Sequence, residues 1–397
     1  MDPEQVELIM DFAPDPVHED IRHAVRKVCS QFTDDYWMHH DEDHEFPWEF
    51  YDAMVKGGWL GLTIPEEYGG GGLGVTEAAI VEQEIAASGA GMNGCTTVHI
   101  GIFGFESMID HGSEDLKRRF LPRAASGDLH VSFAVTEPDA GTDTTRISTF
   151  GRKVDGGYLV TGKKVWISRA QEAERMFLLC RTTPIDEVPK KTAGMTLFFA
   201  PVDRDKVDIR PINKMGRNAV DTNELFIEDL FVADEDVIGE VGHGFKAILA
   251  GLNAERVISG NAAVGIGRAA LWRATEYAKQ RVVFGRPIGQ NQGIAFQLAD
   301  ARIRLDAADA MLQKAAWLID HGLPNATEAN EAKFLAAEAG FHAADVAITV
   351  HGGYGYAKEY HVERYFREAR LMRIAPISQE MVLNYIAEHV LDLPRSY

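Results

Sequence analysis

The stretch that decides the fold of this chain is FAVTEPDAGTD at residues 133–143, followed by WIS at residues 166–168. An apolar run breaks here into small, hydroxyl-bearing and turn-forming residues, a pattern typical of a strand end. Such an end can direct donors at a flat polar ligand, and Trp166 can supply an aromatic wall beside them. The stretch therefore predicts a β unit with a ligand-binding edge.

Around this stretch the hydrophobic period changes twice. Before it, apolar residues recur at helical spacing, as in Ile21, Val25, Val28 and Phe32. From His130 onward the period becomes that of short strands, and the predicted strands are Val131–Thr136, Tyr158–Ile167, Met176–Arg181, Met195–Pro201 and Glu224–Phe231, with a hairpin turn at Asp155, Gly156 and Gly157. The helices predicted towards the C-terminus are Phe245–Val283, Asn291–His321, Glu328–Val350 and Ser378–Leu391, broken at Pro287, Pro324 and Pro376.

These changes of period predict an α+β multidomain fold. The expected units are an N-terminal helical domain at 1–128, a middle β-barrel-like domain at 129–240 and a C-terminal four-helix bundle at 241–397. The run of four glycines at 69–72 is interpreted as a flexible turn, because no Lys followed by Ser or Thr completes a phosphate loop.

Composition excludes several classes of function. Among 397 residues, 60 Asp and Glu outnumber 40 Lys and Arg, so the net charge of −20 disfavours nucleic acid and anionic membranes as partners. No apolar run reaches the ~18 residues of a membrane helix, and the segment 1–11 is acidic rather than Arg-rich. The three cysteines lack metal-binding spacing and are expected to be buried thiols. We therefore expect a cytoplasmic protein without a metal site.

Four motifs carry a resemblance to a known family. They are VTEPDAGTD at 135–143, KKVWIS at 163–168, RVVFGRPIG at 281–289 with Gln292, and HGGYGY at 351–356. In this order, and with the α, β, α arrangement, the chain resembles the acyl-CoA dehydrogenase family. The resemblance implies FAD as cofactor, oxidation of an acyl-CoA to its 2,3-enoyl-CoA, an electron-transfer flavoprotein as acceptor, and a homo-oligomer, expected to be a tetramer built as a dimer of dimers.

The resemblance also implies cofactor-binding residues. Trp166 and Arg281 have simpler alternatives as a core tryptophan and as a charge that complements a helix C-terminus. Arg281, Phe284 and Gln292 are expected to reach the FAD of a neighbouring subunit, where the Arg281 fork suits a pyrophosphate. The full expected set is Phe133, Val135, Thr136, Thr142, Trp166, Ser168, Arg281, Phe284, Gln292, Thr349, Gly352, Gly353 and Ser378, with Thr349 standing where many relatives have Gln and Thr142 also touching CoA.

The catalytic base is expected at an unusual place. Many relatives carry a Glu on the loop before the last helix, but this chain has Pro376 there. A minority, including isovaleryl-CoA and long-chain acyl-CoA dehydrogenases, carry it on the first helix of the bundle, and LNAERV at 252–257 resembles that pattern. Glu255 is therefore predicted as the base, at the edge of an apolar stripe. The CoA contacts implied beside it are Phe245, Asn253 and Arg256.

Several alternatives stay open. Glu255 could belong to a structural ion pair, and Glu380 is a rival carboxylate that fits the first turn of the last helix. The scaffold could also serve an acyl-CoA oxidase, another flavin-dependent CoA-ester enzyme, or a catalytically retired flavin- or CoA-binding relative. The GxGxxA match at 265–270 lies inside a helical pattern, so it predicts close helix packing and not a nicotinamide site. His99, Phe103 and Ala375 are candidates for the acyl pocket, with plain packing as the simpler interpretation.

Overall fold

A computed structural model describes residues 15–249 and 251–395, so the acidic segment 1–11 lies outside the described residues. The first helix shows why the N-terminal part is helical. Asp15 caps it by accepting a hydrogen bond from the Val17 amide at 2.8 Å, and Ile21, Val25 and Cys29 face the core. The helices of this part are α1 (Pro16–Cys29), α2 (Asp34–Asp43), α3 (Trp48–Lys56), α4 (Val75–Ile85), α5 (Gly91–Phe103), α6 (Glu106–His111) and α7 (Glu114–Ala125).

The middle part is a single mixed sheet. Its strands are β1 (Val131–Ala134), β2 (Phe150–Val154), β3 (Gly157–Ser168), β4 (Arg175–Arg181), β5 (Met195–Pro201), β6 (Val207–Pro211), β7 (Thr222–Ala233) and β8 (Val237–Ile238). Their order is β6-β7-β3-β2-β4-β5-β8, with β1 parallel to β4, so within the described residues the sheet stays open rather than closing into a barrel. The predicted hairpin at 155–157 joins β2 to β3.

A buried ion pair fixes the end of β1 against β3. Lys164 is fully buried and its Nζ donates to Glu137 Oε1 at 2.9 Å and to the carbonyls of Val135 and Leu179. Just beyond it, the Val165 amide donates to the Thr136 carbonyl at 2.9 Å. The register between β3 and β7 shifts directly after Lys164, and within this irregularity Trp166 faces outward while Val165 and Ile167 stay buried.

The C-terminal part is helical again. Its helices are α8 (Gly244–Leu249), α9 (Leu252–Gln280), α10 (Gln292–Asp320), α11 (Ala326–His351), α12 (Val362–Leu371) and α13 (Gln379–His389), and a small hairpin of β9 (Val282–Val283) and β10 (Arg286–Pro287) lies between α9 and α10. Across the described ranges, 15–249 and 251–395, no helix combines the length and apolar character needed to cross a membrane.

The predicted continuous helix Phe245–Val283, with one apolar stripe along it, is wrong. The chain turns at Gly251, and α8 and α9 bury their apolar residues in different places. Ile248 packs with the cluster shared by the sheet and α7, whereas Val257 packs in the core of the helical domains. The periodicity of the sequence indicates that both residues are buried, but it does not show that they pack in different cores.

The glycines of the GxGxxA match lie within α9 and permit close packing, as predicted. A Cβ on Gly265 would lie 2.5 Å from the carbonyl oxygen of Gln83 on α4, and one on Gly267 would lie 3.0 Å from the Cα of Gly340 on α11. A pyrophosphate turn needs a strand before the motif, but Gly265 lies in the middle of a long helix. The nicotinamide alternative is therefore excluded.

Candidate functional site

Three of the predicted residues, Thr136, Trp166 and Ser168, lie together where β1 and β3 end, and we call them the tryptophan edge. The Trp166 side chain is 59% exposed and its backbone has a φ of 65°, which is uncommon for a bulky residue. Ser168 pairs with Thr222 on β7 and is half-buried. The edge therefore presents an indole face and hydroxyl groups to one side of the sheet.

Arg217 lies directly behind this edge and was not predicted. Its Nη2 donates to Ser168 Oγ at 3.1 Å and to Thr222 Oγ1 at 2.8 Å. Because Ser168 Oγ accepts this hydrogen bond, its own proton is free to be donated elsewhere. Nothing in the sequence separates Arg217 from an ordinary loop arginine, because only folding brings its loop against β3.

The charge of Arg217 is offset by Glu368 and Asp221 only at a distance, without a direct ion pair. Burial lowers its pKa to about 10, and its Nε is buried without a hydrogen-bond partner. Within the described ranges Arg217 forms no ion pair with a carboxylate. A buried guanidinium of this kind is suited to an anionic or strongly polar ligand.

Glu255 lies in the first turn of α9 and is half-buried. Burial raises its pKa, while the nearby charges of His99 and Arg256 act in the opposite direction. Arg256 does not pair with it: its Nη1 donates to Asn253 Oδ1, and its Nε is buried without a partner. The arrangement gives no support to the alternative that Glu255 belongs to a structural ion pair.

His99 connects Glu255 to Arg217 electrostatically. Burial opposes protonation of His99, yet a hydrogen bond and the charge of Glu82 raise its pKa, Glu255 raises it further, and Arg217 lowers it. His99, Arg217 and Glu255 are each partly exposed and come from α5, the loop before β7 and α9, and His99 feels the charges of the other two. We call the surface that these three residues share the base cleft.

A second carboxyl group with a raised pKa lies near the start of α9. Burial raises the pKa of Glu106 to about 7, and a Cβ on Gly251 would lie 3.2 Å from the Glu106 Cβ. Its electrostatic neighbours are Thr63 and Asp110, not the residues of the base cleft. No sequence signal distinguishes Glu106, because an acidic residue at the start of a short helix is common.

The loop before α13 holds Pro376 where many relatives have a Glu. Lys333 anchors this loop, since its Nζ donates to the Ile377 carbonyl at 2.5 Å and to Gln379 Oε1 at 3.0 Å. Ser378 Oγ accepts from the Met381 amide and caps α13. The rival carboxylate Glu380 lies exposed in the first turn of α13, as the dipole argument predicted.

The remaining predicted cofactor residues lie elsewhere, on what we call the hairpin cluster: Arg281, Phe284, Gln292, Thr349, Gly352 and Gly353. Phe284 is fully exposed, and the Arg281 guanidinium lies 5.7 Å from the centre of the Tyr354 ring. A Cβ on Gly352 or Gly353 would meet no atom within 4 Å. No hydrogen bond or ion pair among residues 15–249 and 251–395 joins this cluster to the tryptophan edge.

The other predicted side chains lie in surroundings that still allow the cofactor and CoA contacts expected of them. Phe133 stacks on Phe177 with ring centres 4.7 Å apart, and Thr142 is exposed. Asn253 Nδ2 donates to Asn325 Oδ1 at 2.8 Å, and Thr349 Oγ1 donates to the Asp345 carbonyl. Half-buried residues complete the set: Val135 beside the tryptophan edge and Phe245 at the start of α8.

Comparison with known proteins accounts for this architecture. Three family models match in chain order: the acyl-CoA dehydrogenase N-terminal domain at residues 15–128, the middle domain at 132–230 and the C-terminal domain at 242–391. Acyl-CoA dehydrogenase FadE12 of Mycobacterium tuberculosis is 38% identical over 95% of this chain and 96% of its own length. Benzylmalonyl-CoA dehydrogenase of Aromatoleum aromaticum is 33% identical over 94% and 98%.

The solved structures include close relatives in fold. Butyryl-CoA dehydrogenase from Megasphaera elsdenii superimposes with a TM-score of 0.91 at 29% identity, covering 96% of this chain and 100% of its own. The domain matches and the extent of these similarities together support one conclusion. This chain belongs to the acyl-CoA dehydrogenase family of FAD-dependent oxidoreductases.

Proposed function

We propose that this enzyme dehydrogenates an acyl-CoA thioester between C2 and C3, with Glu255 as the general base. The observation that carries the proposal is the continuity between the base cleft and the tryptophan edge. Arg217 interacts electrostatically with His99 beside Glu255, and it also donates a hydrogen bond to Ser168. Arg217 therefore connects the surroundings of the proposed proton acceptor to the proposed cofactor edge.

The residues present fit a flavin at the tryptophan edge. Trp166 offers an exposed indole face, Ser168 has a hydroxyl proton to donate, and Arg217 has a buried nitrogen without a partner. A flavin ring needs such a wall and such donors, and when bound it accepts the hydride that leaves C3. The residues proposed to hold it are Phe133, Val135, Thr136, Thr142, Trp166 and Ser168.

The chain's own groups perform the proton chemistry. The Glu255 carboxylate takes the C2 proton, and the raised pKa that burial gives it makes it a stronger base than an exposed glutamate. Asn253, Arg256, Phe245 and Thr142 are proposed to contact CoA. Pro376 has no backbone N–H, so we assign part of the polarisation of the thioester oxygen to the Ile377 amide.

Anaerobic mixing with a panel of acyl-CoAs tests this function. Straight, branched, cyclic and aromatic thioesters are added to the holoenzyme, and we expect at least one to bleach the flavin absorbance and yield its 2,3-enoyl-CoA by mass spectrometry. Steady peroxide formation in air without another acceptor would favour the oxidase alternative. No bleaching by any thioester would favour a retired binding protein.

The electron acceptor and the acyl group of the substrate are not defined by the general reaction. We propose an electron-transfer flavoprotein as acceptor, as the family resemblance implies, and a cytoplasmic location, which stays a prediction from composition. Relatives are named for butyryl and benzylmalonyl thioesters, one small and straight and the other bulky. Their names therefore leave the acyl group of this enzyme open.

We also propose that the chain works as a homotetramer, a dimer of dimers. Large apolar side chains are exposed on its C-terminal part, including Trp272 at 62%, Phe284 at 102%, Phe296 at 64% and Ile303 at 67%. Exposed apolar surface of this extent is typical of an interface. The separation of the hairpin cluster from the tryptophan edge fits a cofactor held between two copies.

Arg281→Ala tests this arrangement. We expect the variant to keep the tetrameric mass measured by light scattering and to lose FAD on dilution at least tenfold faster, because a guanidinium–phosphate contact contributes about 1.5–3 kcal/mol. Arg152→Ala, an exposed arginine on β2, is the matched control and should retain FAD. A monomeric wild type, or unchanged FAD retention in Arg281→Ala, would contradict the proposal.

A further inference from the structure

The α5 helix is buried along almost its whole length, and His99 is its one polar side chain that is partly exposed. From Gly91 to Ile100 every residue but His99 is buried, and the His99 side chain is 25% exposed. This partly exposed imidazole lies within electrostatic reach of Glu255 and Arg217, the other two residues of the base cleft. A polar ring at this depth, surrounded by apolar packing, needs an explanation other than core packing.

A buried carboxylate holds the ring in one orientation. Glu82 is 1% exposed and its Oε1 lies 3.3 Å from His99 Nδ1. A carboxylate buried this deeply is stabilised by a positive partner, and the hydrogen bond and charge of Glu82 raise the pKa of His99 against the effect of burial, which favours the imidazolium with Nδ1–H donated to Glu82. Its Nε2–H stays available. Within residues 15–249 and 251–395 this nitrogen forms no hydrogen bond, and it is not one of the buried side-chain nitrogens that lack a partner.

The position of His99 relative to Glu255 leaves room for a ligand. Each affects the charge of the other, yet the two side chains form no ion pair. One turn further along α5, the Phe103 ring lies 6.4 Å from the His99 ring and approaches Gly251, where α9 begins. If Glu255 is the base, as proposed above, an acyl chain with its C2 at Glu255 passes along His99 and Phe103.

We propose that His99, held by Glu82, is a specificity-determining residue that binds an oxygen acceptor on the substrate's acyl chain, a terminal carboxylate being the best match. A hydrocarbon chain would cover the Nε2–H without giving it a partner, and sites built around such a donor discriminate strongly against substrates that lack the acceptor. The carboxylates nearby are Glu82 and Glu255 at His99 and Glu368 and Asp221 at Arg217, so the match depends on the free donor of His99 and not on a missing charge.

Pairs of thioesters of equal length test the inference. In a Glu255→Gln holoenzyme, which should bind without turnover, dissociation constants are measured by calorimetry for succinyl-CoA against butyryl-CoA and for glutaryl-CoA against valeryl-CoA. We expect at least one acidic thioester to bind tighter than its partner by roughly tenfold or more, as a charge-assisted hydrogen bond implies. Adding His99→Leu should remove this preference.

Three further variants keep the result interpretable. His99→Gln retains a donor and should keep part of the preference, whereas Glu82→Gln leaves the ring without its buried counter-charge and should weaken it. His39→Leu, an exposed histidine on α2, should change nothing. Equal binding of both members of each pair, or a preference that survives His99→Leu, would overturn the inference.

The experiment separates this inference from the dehydrogenase proposal. The same four thioesters are mixed anaerobically with the wild-type holoenzyme. If none of them or of the wider panel bleaches the flavin, the dehydrogenase proposal fails, while the calorimetric preference still decides the role of His99. If hydrocarbon thioesters bleach the flavin as fast as acidic ones and bind equally well, only the His99 assignment fails.

Discussion

Replacing Glu255 by Gln is expected to slow flavin reduction by a good acyl-CoA substrate by roughly 10²–10⁴-fold, the usual contribution of a positioned general base. The amide has nearly the shape of the carboxylate but cannot accept the C2 proton. Because Arg256 bonds to Asn253 and not to Glu255, the substitution breaks no ion pair. The measurement is anaerobic stopped-flow absorbance at a saturating thioester concentration, with FAD content and unfolding temperature checked against the wild type.

The pH dependence gives a second readout of the same group. Burial raises the pKa of Glu255, and the charges of His99 and Arg256 only partly offset it. Only the deprotonated form is a base, so the rate should rise with pH through this raised pKa and then level off. The acidic limb should disappear in Glu255→Gln, and a limb that persists would belong to another group.

Glu106→Gln is the matched control. It makes the same chemical change at a buried carboxyl whose pKa is raised to about 7, near the start of the same helix but outside the base cleft. We expect a rate within a few-fold of the wild type. A large loss in Glu106→Gln together with a near-normal rate in Glu255→Gln would transfer the role of base to Glu106.

Lys164→Met should lower the free energy of unfolding by about 3–5 kcal/mol, because it leaves the buried Glu137 carboxylate without its cation. Burial alone would raise the pKa of Glu137, but Lys164 and the hydrogen bonds from Ser148 and Thr149 bring it below its ordinary value. The change is measured as a shift of the denaturant midpoint. Flavin retention should fall with it, since the pair holds the end of β1 against β3.

Two comparisons isolate the buried charge. Adding Glu137→Gln to Lys164→Met should recover part of the loss, because the unpaired charge is removed. Lys279→Met breaks an exposed pair with Glu276 and should cost no more than about 1 kcal/mol. A Lys164→Met loss as small as that of Lys279→Met would contradict the prediction.

The acid stability of the protein follows from the same pair. A carboxyl group whose pKa is lowered by folding stabilises the native state above its unfolded pKa, and this contribution is lost as pH falls through the folded pKa. Glu137 is such a group, so its contribution is present at neutral pH and disappears only in acid below the ordinary glutamate range. In Lys164→Met, unfolding should begin at a higher pH than in the wild type.

Local pattern was enough for much of the fold. Strands β3, β4, β5 and β7 follow from apolar β-rich runs, and the start of α1 follows from Asp15 and Pro16. The hydrophobic pattern did not predict helices whose buried residues include charged side chains, and it did not predict short strands. The α12 helix was missed because buried Arg364 and Glu368 interrupt its apolar face, and β2, β6 and β8 are short.

The sequence by itself determined the family and the polar edge after β1, and it predicted Glu255 as the base because Pro376 stands at the usual position; each depends on residues that are neighbours along the chain. Only the tertiary structure brought His99, Arg217 and Glu255 together around one cleft. These residues come from a helix, a loop and a second helix that are far apart in sequence. The physical reason is that periodicity reports whether a side chain is buried, whereas the charge it faces depends on which elements pack together.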